Sequence, residues 1–98
     1  MKELEKEFIG RGEVKGFKFK QLEATPYGYI YEVSNGDETP YYEVFKRKEN
    51  TQFNCISYPR SSSFGKWAWS VPTIEKAKNY LTIFEENANK KEKTTTDS

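Results

Sequence analysis

The sequence predicts an α+β fold: a four- to five-stranded antiparallel sheet meander with one C-terminal amphipathic helix packed on one face. Short segments of alternating apolar and polar residues are separated by turn residues, and one later stretch has apolar residues at helical spacing. In addition, 16% of the 98 residues are aromatic. We expect these rings to replace aliphatic side chains on both faces of the sheet, within one domain.

The first two strands are predicted on either side of a turn at 25–28. Phe17 and Phe19 alternate with lysines within Glu13–Glu23, which gives one apolar and one basic face. Tyr29–Val33 alternates in the same way after the turn, whose Thr-Pro-Tyr-Gly sequence is typical of a chain reversal. These two segments are therefore expected to pair antiparallel.

Three further strands are predicted at Tyr41–Lys48, Phe53–Tyr58 and, in a short form, Trp67–Val71. An Asn-Gly turn at 35–36 precedes the first of them, and polar residues at 49–51 separate it from the next. The short connections predict that neighbouring segments in the chain are neighbours in the sheet.

The helix is predicted from Ile74 to about Asn89, after Pro72 and with Ser70 or Thr73 available as the N-cap. Its apolar stripe contains Ile74, Ala77, Leu81, Phe84 and Ala88. The residues of the sheet expected beneath it are Phe17, Phe19, Val44 and one or both of Trp67 and Trp69. The two tryptophans are predicted to share one side, because they are two residues apart in an alternating segment.

Residues 13–89 are expected to form the domain, with a flexible N-terminal arm at 1–12 and a disordered polar tail at 90–98. Two apolar sheet faces require two covers, and the sequence predicts one helix. We therefore expect some aromatic surface to remain for a partner. A small OB-like barrel with an appended helix is the structural alternative, and it would cover both faces.

Composition argues against an enzyme, a metal site or a cofactor. The chain has no His, and its Asp residues are Asp37 in a predicted turn and Asp97 in the tail. The lone Cys55 lies within a predicted strand, without an imidazole to activate it. The sequence has no apolar run of the ~20 residues that span a bilayer and no signal-peptide core, so we expect a cytoplasmic protein that does not enter a membrane.

The segment Lys15–Leu22, with sequence KGFKFKQL, resembles the aromatic RNA-binding strand of RRM and cold-shock domains. In those families alternate aromatic rings stack on bases, and a basic residue contacts phosphate. The match departs from the family pattern at Lys18 and Lys20, and no helix is predicted after this strand, as an RRM requires. The alternative, which we favour, is an amphipathic strand with Phe17 and Phe19 in the core.

Two functional classes remain. In the first, we expect an uncovered aromatic sheet face to bind a protein partner, either a host protein or a second copy of the chain. In the second, the same face binds single-stranded DNA or RNA. The candidate binding residues are Lys18, Lys20, Tyr29, Tyr31, Phe45, Arg47, Tyr58, Arg60, Trp67 and Trp69. Basic residues clustered on the aromatic face would favour nucleic acid, whereas Glu32, Glu43 and the lysines alternating on that face would favour a protein.

The segments Gly12–Phe17, Tyr42–Lys48 and Phe64–Trp69 are similar to small uncharacterised proteins carried by bacteriophages and bacterial mobile elements. The resemblance covers about three quarters of the chain and brings no activity with it. It implies a compact accessory protein that acts on host or phage machinery in the cytoplasm.

Overall fold

The computed structural model describes residues 2–10, 16–36 and 38–97, with side chains as far as Ala88. The strands are β1 (Glu7–Ile9), β2 (Lys18–Ala24), β3 (Gly28–Ser34), β4 (Tyr41–Lys46), β5 (Glu49–Asn50), β6 (Cys55–Ile56) and β7 (Ala68–Val71), followed by the helix α1 (Ile74–Asp97). Five strands form an antiparallel sheet in the order β1-β2-β3-β4-β7, and α1 packs against it. The predicted α+β fold is confirmed.

The strands β2, β3, β4 and β7 lie within or close to their predicted segments, although residues 13–15 of the first prediction lie outside the described residues. The N-terminal residues, predicted as a flexible arm, contain β1, which pairs with β2 through Phe8 opposite Phe19. The sheet is open, with β1 and β7 at its edges, so the OB-like alternative is wrong.

The predicted fourth strand at Phe53–Tyr58 does not join the main sheet. Its extended part is β6, which pairs with β5 in a separate two-stranded hairpin. The hairpin turns through Asn54, whose φ of 53° is left-handed, and Phe53 is 70% exposed. The place beside β4 is taken by β7, whose small, fully buried Ala68 lies opposite Phe45.

The helix covers one face of β3, β4 and β7. Thr73 caps it by accepting a hydrogen bond from the Lys76 backbone N–H at 3.3 Å. The core between helix and sheet contains Ile30, Val44, Val71, Ala77 and Phe84, with Trp69, Ile74, Tyr80 and Leu81 packed around them. The predicted stripe is thus confirmed from Ile74 to Phe84. The predicted tail at 90–98 falls largely within the bounds of α1, and the side chains of that segment lie outside the described part.

The expected contact of α1 with Phe17 and Phe19 is wrong, because both rings pack on the opposite face. Trp67 and Trp69 are also divided between the faces. Trp69 stacks on Tyr80 of the helix, with ring centroids 5.0 Å apart, whereas Trp67 meets Phe45 on the other side at 6.3 Å. Trp67 precedes β7 and lies in a turn that includes Gly65 at φ 88°, so strand alternation does not extend to it.

The face opposite the helix carries a second aromatic core, which we call the ring layer: Phe8, Phe19, Tyr29, Tyr31, Phe45 and Tyr58. It is covered by the N-terminal segment (residues 2–6), by the β5–β6 hairpin and by residues 57–67. Leu4, Ile56, Phe64 and Trp67 pack against it from these covers. The backbone N–H of Lys2 donates to Asn54 O, and Lys2 O accepts from Ile56, which joins two of the covers. The expected uncovered aromatic face is therefore largely covered.

Gly28 lets the helix approach the sheet closely. A Cβ atom at this position would lie 2.4 Å from the carbonyl oxygen of Phe45, and 3.0 and 3.1 Å from side-chain carbons of Phe84 and Leu81. The first contact is with backbone of the neighbouring strand, so a side-chain rotation cannot relieve it.

We predict that Gly28→Ala lowers the free energy of unfolding by about 2 kcal/mol, because the added methyl group overpacks the interface between helix and sheet. Urea unfolding followed by Trp fluorescence measures this change. Ser34→Ala, at the other end of β3, is the control and should change the free energy by no more than about 0.5 kcal/mol. Equal effects of the two substitutions would contradict the close approach at Gly28.

Candidate functional site

The N-terminal segment is attached to the ring layer through Glu3. The Arg47 guanidinium donates to both carboxylate oxygens of Glu3 at 2.8 Å, and the buried Tyr29 hydroxyl donates to one of them at 2.9 Å. These contacts lower the pKa of Glu3 to about 2, with the Arg47 hydrogen bond as the main cause. Burial and the neighbouring Glu3 raise the pKa of Tyr29 to about 12. A bidentate Arg–carboxylate pair of this kind fixes orientation as well as position.

Tyr31 makes a second attachment. Its hydroxyl donates to the backbone oxygen of Glu5 at 2.6 Å and accepts from the Gln21 amide at 2.9 Å. The ring is fully buried, so an unpartnered hydroxyl there would cost about 1–3 kcal/mol. The N-terminal segment thus supplies an acceptor that the sheet itself does not.

Tyr58 is the centre of the ring layer. Its ring centroid lies between 5.0 and 5.7 Å from those of Phe8, Phe19, Tyr31 and Phe45, and the geometry is edge-to-face in each pair. Its hydroxyl donates to Oε1 of Glu43 at 2.5 Å. Glu43 is 7% exposed and lies in the middle of β4, between Tyr31 and Ser70 on the neighbouring strands.

An open groove of about 1190 Å³ runs beside this pair, and we call it the sheet groove. The residues that line it are Glu5, Phe8, Ile9, Gly10, Phe19, Glu43, Tyr58, Pro59, Arg60, Ser61, Phe64 and Ser70. Aromatic rings form much of its wall, and Glu43 is the most deeply buried charged group. Burial raises the pKa of Glu43, while the Tyr58 hydrogen bond acts in the opposite direction. Burial and the nearby Glu43 raise the pKa of Tyr58.

A second cavity of about 630 Å³ shares Tyr58 and Arg60 with the sheet groove, and we call it the basic cleft. Its charged lining residues in the described structure are Lys48, Arg60 and Lys66, all basic. The Lys48 ammonium lies over the Trp67 ring, 5.1 Å from the centroid, and serine hydroxyl groups and Asn50 complete the wall. Two neighbouring cavities therefore differ in charge.

Five of the predicted site residues are engaged within the fold. Tyr29, Tyr31 and Phe45 are at most 1% exposed, so their rings cannot stack on a ligand in solution. Arg47 is engaged by Glu3 and also lies 3.7 Å from Glu49. Trp69 packs under the helix.

Lys18 and Lys20 are exposed on β2 and line a third, smaller cavity of about 430 Å³, together with Glu7 and Glu32. Lys20 lies directly between Glu7 of β1 and Glu32 of β3. Charges thus alternate across this part of the sheet and reduce the local field. These three residues lie on the face opposite the ring layer, because Phe19 and Tyr31 occupy the alternate positions of their strands, so their charges do not decide between a protein and a nucleic-acid partner.

Tyr58, Arg60 and Trp67 are the predicted residues that the structure brings to the sheet groove and the basic cleft. Glu43, Lys48 and Lys66 also line these cavities, although they are not among the predicted binding residues. For Glu43 a signal was present, because strand alternation places it on the same face as Tyr41 and Phe45. A carboxylate on an otherwise aromatic face is unusual, since buried charges require partners.

Comparison with known proteins gives no match: no family model, no curated protein and no solved structure corresponds to this chain. Within the described residues, no group of three His, Cys, Asp or Glu side chains is placed to hold a metal ion. Over the same residues, no helix has the length and apolar character needed to cross a bilayer.

We predict that Glu3→Gln makes stability less dependent on pH in acid. The pKa of Glu3 is lower in the folded state than in the unfolded state, so its carboxylate stabilises the fold fully at pH values above the unfolded-state pKa. This contribution is lost as the pH falls from about 4.5 to about 2. Wild type should therefore lose stability more steeply than Glu3→Gln across this range, as measured by urea unfolding at a series of pH values. Glu85→Gln, an exposed change on α1, should follow the wild-type curve. Coincident curves for Glu3→Gln and wild type would contradict the attachment of the N-terminal segment through Glu3.

Proposed function

We propose that this chain is a small non-enzymatic binding protein that acts on a protein partner through the sheet groove. The observation that carries the proposal is the groove itself, which combines aromatic walls with a nearly buried carboxylate. Aromatic anchors beside a few placed polar groups are characteristic of protein interfaces. The resemblance to phage and mobile-element proteins supports a role as an accessory factor that acts on a host protein.

Size and charge support a protein partner. The groove volume of about 1190 Å³ exceeds the roughly 300–1,000 Å³ of small-molecule sites and would accommodate an extended segment. The two carboxylates of Glu5 and Glu43 and the guanidinium of Arg60 line it, so its charge is mixed and slightly acidic. A polyanion such as DNA or RNA would be repelled from the Glu43 side.

The test is selection of random linear peptides displayed on phage against immobilised wild-type protein, followed by anisotropy measurements with labelled synthetic peptides. We predict that Ser70→Tyr, which fills the groove from the exposed edge strand β7, weakens binding about tenfold or more. Thr82→Tyr, the same type of change on exposed helix surface, is the matched control and should bind as wild type does. Equal binding by Ser70→Tyr and wild type, or a selection that yields no peptide, would contradict the proposal.

A second copy of the chain is one partner of this class. Sedimentation velocity of wild type and Ser70→Tyr at matched concentrations tests it. A dimer that dissociates on substitution assigns the groove to self-association, and monomers in both cases leave another protein as the partner.

Single-stranded nucleic acid is the second candidate, and the basic cleft favours it. Lys48, Arg60 and Lys66 line the same cavity as Trp67, and the Lys48 ammonium lies over its ring, so the cleft combines phosphate-binding charge with a stacking surface. The binding site would thus lie at the cleft and not on β2, where Lys18 and Lys20 lie.

If this second function operates, a labelled ~20-nucleotide single strand binds with an affinity that falls as salt rises. The variant Lys48→Ala/Lys66→Ala should then reduce the slope of log K against log salt by about 1.4, since each phosphate contact contributes about 0.7 for a single strand. Lys76→Ala/Lys78→Ala, on the exposed surface of α1, should leave the slope unchanged. Absence of binding at low salt, with the strand shown competent by a control protein, removes this candidate.

A further inference from the structure

We propose that Glu43 is the recognition point for one cationic side chain, lysine or arginine, that the protein partner inserts into the sheet groove. The inference rests on the proposed function and specifies its chemistry. It depends on the burial of Glu43, on its second carboxylate oxygen, which has no hydrogen-bond partner among the described residues, and on the aromatic rings around it.

Glu43 is only 7% exposed, yet its carboxylate can accept more hydrogen bonds than it does. One oxygen accepts from Tyr58, and the described residues provide no further hydrogen bond to the carboxylate. A carboxylate offers about four acceptor positions. Glu43 lines the groove, and the described part of the chain contains no fully buried side-chain oxygen without a partner, which agrees with a position of Oε2 at the groove surface.

The carboxylate also lacks an opposite charge within the described structure. The described ion pairs join Arg47 to Glu3 and to Glu49, and neither involves Glu43. A buried charge is costly unless it is paired. A cation that arrives from solution would remove this cost, whereas a neutral group would remove it in part.

The walls suit the rest of a basic side chain. Phe8, Tyr58 and Phe64 line the groove beside Glu43 and present apolar and π surface. Lysine and arginine bury their methylene stems along such surface and place the charged head at a polar group. Aromatic rings near the head add a cation–π attraction.

The other charged residues that line the groove also bear on the binding of a cation. Glu5 lies on the N-terminal segment and adds a second negative charge at the rim. Arg60 is exposed and lines both the groove and the basic cleft, and it does not form an ion pair with Glu43 in the described part of the chain. The groove side of Tyr58 is therefore the acidic side, and the cleft side is the basic one.

The first experiment uses small probes, so that it does not depend on a selected peptide. N-acetyl-lysine methylamide and its neutral isostere N-acetyl-norleucine methylamide are titrated into labelled protein, with the ¹³C signal of the Glu43 carboxyl and the Tyr58 amide observed by NMR. We expect a saturable shift with the lysine probe and binding about tenfold weaker with norleucine. Equal shifts with the two probes, or none with either, overturn the cation site.

Two variants assign the response to Glu43. Glu43→Gln keeps an acceptor for Tyr58 and removes the charge, so the lysine probe should bind no better than norleucine. Ser70→Lys places an ammonium opposite Glu43 on the adjacent strand, and it should exclude the probe from a folded protein. Ser70→Gln, of similar length without the charge, is its matched control and should still bind the probe.

The selected peptides separate this inference from the proposed function. Some peptides that bind at the groove should lose about tenfold affinity when one Lys or Arg is replaced by norleucine. This result supports both the cation site and the proposed function. Peptides that bind the groove equally well without a basic residue, and equally well to Glu43→Gln, overturn the cation site and leave the function. A saturable lysine-probe shift without any peptide supports the site and overturns the function.

Discussion

The structure depends on the burial of tyrosine rings on the sheet face opposite the helix. Tyr29 and Tyr31 are almost completely buried, so each hydroxyl must find a hydrogen-bond partner within the protein. The partners are Glu3 and the backbone of Glu5, both on the N-terminal segment. The N-terminal segment therefore both covers these rings and satisfies their hydroxyl groups. Together with the β5–β6 hairpin and residues 57–67, it forms the second layer of the domain.

Tyr58 connects this second layer to the surface. Its ring lies among four others of the ring layer, and its hydroxyl donates a hydrogen bond to Glu43, which lines the sheet groove. Each aromatic pair contributes about 0.5–1.5 kcal/mol beyond area burial, so the position of Tyr58 is strongly determined. The carboxylate that it holds is consequently fixed before any ligand arrives. A fixed, poorly solvated acceptor loses little entropy on binding, which is the property required of a recognition site.

The sequence predicts the fold class better than it predicts the residues of the candidate site. Alternation and helical spacing are local properties, and they correctly predicted β2, β3, β4, β7 and the stripe of α1. The membership of 53–58 in the main sheet was predicted wrongly, because local alternation does not choose between two candidate neighbours for β4. The placement of Phe19 under the helix failed for a related reason: alternation separates the two faces of a strand, but it does not state which face the helix covers.

The sequence by itself determined an antiparallel α+β domain rich in aromatic rings, together with a C-terminal helix, because these follow from residue spacing of two and of three to four along the chain. The tertiary structure decided the rest. It buried Tyr29, Tyr31 and Phe45, engaged Arg47 with Glu3, and brought Glu43 of β4 to Tyr58. These contacts join residues that are far apart in sequence, from 15 positions for Tyr58 and Glu43 to 44 for Arg47 and Glu3. Their register depends on the packing of the whole domain, and no local pattern encodes it.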